Sequence, residues 1–215
     1  MLARSSCLLL IALAAGLILP ATAAGDQAVL SLYEARSDKL ILQQFDLSCG
    51  AAALATILRY QHGENVNEHQ VALELIRREA YLSNPELVRI RQGFSLLDMK
   101  RYAARSGYRG EAFGDVTLDE LRRLRPAIVP IRLHGYNHFV VFRGILGGNV
   151  LLGDPAFGNR TLPLHRFATA WIDFSELGRV AFSVSRRDGL IPPNQLTAKP
   201  ADFPVLLPVA MGNSR

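Results

Sequence analysis

An α+β domain, with helices first and an antiparallel sheet after them, is predicted by three features of the sequence. The first half carries apolar stripes at helical spacing between capping residues and glycines. The periodicity turns extended after Pro126, and a Gly147-Gly148 turn joins two of the extended runs. A chain of 215 residues, 49% apolar and 20% charged, is the size of one ordinary domain and can bury a core, which excludes disorder, collagen and coiled coil.

Taken in order, Ala28 to Tyr33 reads as a weak strand within a polar lead-in. From Ser48 or Cys49 to Tyr60, a run of alanines and an apolar stripe at Leu54, Ile57 and Leu58 predict a buried helix that Gly63 closes. A second helix is expected from Asn67 to Glu79, capped by Asn67, with Val71, Leu75 and Ile76 facing inward. The third, Ser95 to Ser106, has Asp98 three positions after Ser95, and Gly107 stops it. In the fourth, Thr117 to Leu124, Thr117 and Glu120 have capping-box spacing and Pro126 ends the helix. Strands follow at Ala127 to Leu133 and His138 to Ile145, and the turn Leu146-Gly147-Gly148-Asn149 returns the chain into Val150 to Asp154. Phe167 to Trp171 reads as a short helical turn and Val180 to Ser185 as a last strand. From Asp188 onward five prolines and no periodicity predict a loosely attached extension. The expected organisation is therefore a leader at 1–24, one folded domain at 25–186 and a Pro-rich extension at 187–215, with no internal repeat.

The leader reads as a secretory signal: Arg4, an apolar stretch from Cys7 to Leu19, then Pro20 and the small-residue pattern Ala21-Thr22-Ala23. Its apolar stretch falls short of the roughly 20 residues that cross a bilayer, and no later segment is long and apolar enough. The mature protein is expected in the periplasm or outside the cell, with no stable membrane insertion once the signal is cut. The formal charge of +5 would permit contact with nucleic acid. Yet the densest basic run, Arg122-Arg123-Leu124-Arg125, shares its helix with Asp119 and Glu120, and no reading motif accompanies it. It is expected to be a solvated face, and no nucleic-acid partner is predicted.

Of the two cysteines, Cys7 leaves with the signal, and Cys49 becomes a solitary thiol in an oxidising compartment. A buried small hydrophobe is the plain account of it. Its position at a helix start supports a chemical one, because partial positive charge there favours the thiolate, the form in which a thiol attacks. Gly50 keeps bulk away from an approaching substrate. The thiol needs a histidine as proton acceptor, and there are five. His62 and His69 flank a polar loop and read as surface residues, His134 lies in a turn and His165 precedes Arg166 in a late segment. His138 opens a strongly apolar strand, where a polar residue is better explained by work than by accident. Asp154, between Gly153 and Pro155, could orient the imidazole, although an aspartate before proline is also an ordinary turn residue. Simple pairing around a Gly147-Gly148 tip sets Asp154 opposite Val141, so contact with His138 requires a bulge, or a bend near Gly153.

Three ordered motifs resemble the C39 peptidase family, the papain-like bacteriocin-processing endopeptidases. They are Gln43 to Ala55 around Ser48-Cys49-Gly50, then Asn137-His138-Phe139-Val140-Val141, then Gly153-Asp154-Pro155-Ala156-Phe157-Gly158, within a resemblance running from Leu42 to Trp171. The resemblance implies a papain-like cysteine peptidase fold and a thiol protease in which Cys49 is the nucleophile, His138 the base and Asp154 its orienting partner. It also implies a glutamine that helps hold the oxyanion, Gln43 by its six-residue spacing, with Gln44 as the alternative. The implied substrate is a peptide or protein, and no metal or organic cofactor is implied. Many family members are domains of ABC transporters, whereas the leader here points to a free-standing exported member. Two other readings stay open: a catalytically idle peptide-binding module, and a hydrolase of cell-wall peptides.

Overall fold

In the computed structural model, which describes residues 31–199 apart from 91, 92 and 134, side-chain caps decide where several of the helices begin. The expected leader, Cys7, His134 and the far end of the tail lie outside the described residues. Helix α1 (Leu32–Ser37) starts behind a capping box of Ser31 and Glu34, so the described part of the expected strand at Ala28 to Tyr33 is helical instead. Helix α2 (Cys49–Thr56) is buried along its whole length and runs on through a π turn at Ile57–Gln61. Gly63, with φ of +82°, closes it as expected. Helix α3 (Glu68–Ile76) is capped by Asn67 and Gln70, and is shorter than expected because the chain leaves the helix at Arg77. Short helices α4 (Glu79–Ser83) and α5 (Glu86–Ile90) follow. Val71 and Leu75 are fully buried, but Ile76 is 40% exposed. At the end of its helix it lines an open hollow with Leu73, Val88 and Phe94 in place of entering the core.

Helix α6 (Leu96–Arg105) begins at Ser95, whose backbone N–H and hydroxyl donate to Asp98 Oδ2 at 2.9 and 2.8 Å. The same carboxylate, fully buried, accepts from the Tyr81 hydroxyl and pairs with Arg78, which ties α4 to α6. Asp98→Ala would leave the Arg78 charge and the Tyr81 hydroxyl without their buried partner. A loss of about 3–5 kcal/mol of unfolding free energy is expected in urea titration, and a change under 1 kcal/mol would refute this role for the carboxylate.

The second half supplies the sheet. Strand β1 (Tyr108–Phe113), helix α7 (Leu118–Leu124), β2 (Ala127–Leu133), β3 (Tyr136–Leu146), β4 (Asn149–Asp154), β5 (Gly158–Pro163), helix α8 (Leu164–Ala170), the small pair β6 (Asp173–Phe174) and β7 (Gly178–Arg179), and β8 (Ala181–Arg186) follow in order. Six strands form one antiparallel sheet in the order β1-β8-β2-β3-β4-β5. The α+β class, the hairpin with its tip at Gly147-Gly148 and the caps of α3, α6 and α7 match the sequence expectation. Edge strands β1 and β5 were not anticipated, because Gly110 in the one and Gly158, Asn159 and Pro163 in the other are residue types that strands disfavour.

Alternation along β3 serves two cores. Val141 joins Leu54, Ile57, Leu75, Met99 and Phe182 on the face covered by α2, α3 and α6. Val140 and Phe142 join Leu121, Phe167 and Trp171 on the other. Burial of the small-residue helix α2 against the middle of the sheet carries its N-terminus to the strand end where β3 begins. The tail expected to be loosely attached is tied down over its first part. Asn194 and Gln195 donate their N–H groups to Gln61 and Tyr60, Leu196 is buried, and its carbonyl accepts from Nε of the buried Arg143.

Candidate active site

The site is assembled where α2 packs on β3, which pairs with β4. Cys49 is the first residue of α2 and only 2% exposed. Ser48 occupies the N-cap position but makes no capping bond to the helix. Its hydroxyl donates to Glu68 and lies 2.6 Å from the Phe45 carbonyl oxygen, so it occupies none of the first-turn N–H groups of α2.

A bulge decides the geometry of the other two residues. The β3–β4 register runs Gly144↔Leu151 on one side of Arg143 and Phe142↔Leu152 on the other, leaving Arg143 as the extra residue. Val141 therefore faces Gly153 in place of the expected Asp154, and continuing the register sets Asp154 opposite Val140. Shifting by one residue moves a side chain to the other face of a sheet. It puts Asp154 on the face shared by Val140 and His138, as a diagonal neighbour of the histidine. Of the two irregularities the sequence allowed, a bulge or a bend near Gly153, the bulge is the one that occurs, on the partner strand at Arg143. The result is direct contact: His138 Nε2 lies 2.6 Å from Asp154 Oδ1, with both residues buried. The same oxygen accepts the N–H groups of Ala156 and Phe157 at 3.0 and 3.2 Å, an Asx turn that holds the carboxylate, and Arg160 Nη1 lies 3.5 Å from Oδ2.

With Nε2 committed to Asp154, His138 Nδ1 has no hydrogen-bond partner and the Cys49 thiol lies within interaction reach of the ring. Burial works against the protonated ring, but the Asp154 carboxylate and the Cys49 sulfur beside it outweigh that cost and push the His138 pKa up to about 9. Tyr136 packs beside the ring with centroids 5.9 Å apart.

Gln43 is half-buried. Its N–H donates to the Pro155 carbonyl at 2.9 Å, beside Asp154, and its Nε2 donates to the Phe45 carbonyl at 3.3 Å. Gln44 is exposed. Cys49, His138 and Asp154 thus come together from three stretches of the chain, and Gln43, six residues before Cys49, is tied to the turn after Asp154. Among the other histidines, His69 and His165 are exposed, whereas His62 is buried, contrary to expectation. Its ring packs on Tyr108 at 5.0 Å and reaches the Val184 carbonyl, contacts made by strands that are remote in sequence. Sequence reasoning also missed Glu68. An acidic residue in the first turn of a helix is ordinary, and only its burial at 3% exposure marks it out.

Two hollows flank the pair. One of about 290 Å³ lies between Phe45, Leu47, Leu73, Ile76 and Phe94, beside the segment leading into Cys49. Another of about 400 Å³ lies between Leu133, Tyr136, Phe157 and Arg160, beside His138 and Asp154.

This fold, with a thiol and an imidazole at the junction of a buried helix and an antiparallel sheet, defines a papain-like cysteine peptidase. The chain belongs to the peptidase C39 family, whose sequence model matches residues 37–175. It is 40% identical over 175 residues to a protein named as the probable functional amyloid protease FapD of Pseudomonas aeruginosa, covering 80% of this chain and 74% of that one. Among solved structures, it is similar to a double glycine motif protease from an AMS/PCAT transporter in complex with the leader peptide. The TM-score is 0.53 and the identity 24%, over 67% of this chain and 89% of that one. It is also similar to the peptidase domain of Streptococcus ComA, a bi-functional ABC transporter involved in a quorum sensing pathway. There the TM-score is 0.54 and the identity 20%, over 69% and 98%. Among the described residues no helix is long and apolar enough to cross a membrane.

Proposed function

We propose that this peptidase is an exported endopeptidase that cleaves polypeptides through a thioester on Cys49. The observation that supports the reading is the position of His138, with its Nε2 against the buried Asp154 carboxylate and its ring within reach of the buried Cys49 thiol. Cys49 Sγ attacks the scissile carbonyl carbon. The carbonyl oxygen takes up negative charge, which the Cys49 N–H and the Gln43 side chain stabilise. As the C–N bond breaks, His138 gives its proton to the leaving amine, and Asp154 keeps the ring oriented and compensates its charge. Water then attacks the thioester, His138 takes a proton from it, and the acid product departs as the Cys49 thiolate is restored beside the protonated ring. The half-buried Gln43, set against the turn after Asp154, suits the oxyanion role better than the exposed Gln44. The two hollows suit the side chains of a bound polypeptide, and likeness to a protein named as a protease also supports a polypeptide substrate.

The protonated His138 gives a test of the chemistry. Because its pKa is raised from 6.5 to about 9, peptide hydrolysis is expected to lose rate as pH rises through about 9. The stability linked to the same proton is complete below about 6.5 and is lost over the rise to about 9. An alkaline limb near 6.5 would show that His138 lacks the partners assigned to it.

In the same proposal the organisation is a signal at 1–24, a peptidase domain at 25–186 and an extension at 187–215. Mass spectrometry of protein recovered from the periplasm or medium is expected to give a mature chain beginning at Gly25. Recovery of the uncut chain in the membrane fraction would reject export by a cleaved signal.

A further inference from the structure

We infer that Glu68 is a positioning residue for the oxyanion side of the site, holding the loop 44–48 in the shape that presents Gln43. The inference rests on the oxyanion role proposed above for Gln43. The Glu68 carboxylate is buried, and among the described residues no lysine or arginine pairs with it. It accepts the Gln44 N–H at 2.8 and 3.0 Å through its two oxygens, the Phe45 N–H at 3.4 Å, and the Ser48 hydroxyl. Its own helix does not need it as a cap, because Asn67 and Gln70 already close the N-terminus of α3. A buried carboxylate is costly unless dipoles satisfy it, and here every one of those dipoles comes from the single loop that precedes Cys49.

That loop is held in a strained form. Leu47, one residue before Ser48, has φ of +64°, in the left-handed region that a branched side chain disfavours. Its carbonyl oxygen is packed so closely against Gly93 that a Cβ there would lie 2.7 Å away. The route to the oxyanion is short. Glu68 grips Phe45 and Ser48, the Phe45 carbonyl accepts the Gln43 side-chain N–H, and Ser48 leads into Cys49. If Glu68 released Phe45, the Gln43 amide would lose the carbonyl that orients it. The thiol, oriented by His138, would keep its partner.

Two reagents separate these effects in the full chain. Acyl transfer from p-nitrophenyl acetate to Cys49 forms the S–C bond, expels p-nitrophenolate and builds a tetrahedral oxyanion whatever peptide the enzyme prefers. Alkylation by iodoacetamide forms an S–C bond and expels iodide with no oxyanion. For Glu68→Gln, acylation is expected to fall about 10- to 100-fold, with the rate and pH profile of alkylation within about twofold of wild type. Gln43→Ala should show the same pattern, and the double variant should acylate no more slowly than Gln43→Ala alone. If Glu68→Gln does not fold, Ser48→Ala, which removes one donor to the carboxylate, should show a smaller fall in acylation with alkylation preserved. Unchanged acylation, a parallel loss of alkylation, or additive losses in the double variant would each overturn the inference. A wild type that is acylated yet cleaves no peptide would count against the endopeptidase reading and leave this one standing.

Discussion

Cys49→Ala is expected to abolish turnover while the protein stays folded. Alanine is a strong helix former, and the position already lies in a run of alanines, 2% exposed at the start of α2. The substitution removes one sulfur atom and no backbone bond. The melting temperature should therefore move by a few degrees at most. The chemistry has no substitute, because the proposed thioester has no other atom on which to form, and Cys49 is the one cysteine among the described residues. The measurement is product sequencing from a peptide library that the wild type cleaves. Hydrolysis by the folded variant above the uncatalysed background would end the assignment of Cys49 as nucleophile.

The second large effect is expected from His138→Ala, a fall in kcat of about 10⁴-fold or more. The imidazole performs two proton transfers in the proposed cycle, and residues that act as one unit lose most of their effect when any member is removed. The Cys49→Ala and His138→Ala losses should accordingly not add in the double variant. Removing the ring also leaves Asp154 buried beside Arg160 without its histidine, so some stability is expected to go with it. Alkylation separates the two causes. A folded variant whose Cys49 alkylation matches wild type in rate and pH dependence would mean that the ring does not serve the thiol.

How much of this was legible can be judged residue by residue. Asn67, Ser95 and Thr117 were readable as caps because a capping side chain bonds to backbone within three residues of itself. The Gly147-Gly148 turn was readable because both residues take positive φ, which glycine tolerates. Cys49 and His138 stood out by chemistry against context, a lone thiol at a helix start and a polar residue opening an apolar strand. Burial of His62 was not readable, since Tyr108 and Val184 reach it from distant strands. The role of Glu68 was equally hidden, because its partners lie on another segment. The attachment of Leu196 depends on Arg143, which lies 53 residues away along the chain.

The order of residues alone determined the α+β class, the helix caps, the hairpin tip and which thiol, imidazole and carboxylate were available, because those properties come from interactions a few positions long. Tertiary structure alone decided that the extra residue of the hairpin is Arg143, that Asp154 shares a face with His138, and that a carboxylate from α3 holds the loop before Cys49. Register and loop shape are chosen by which remote side chains must be buried together, and that choice exists only once helices and sheet have closed on one another.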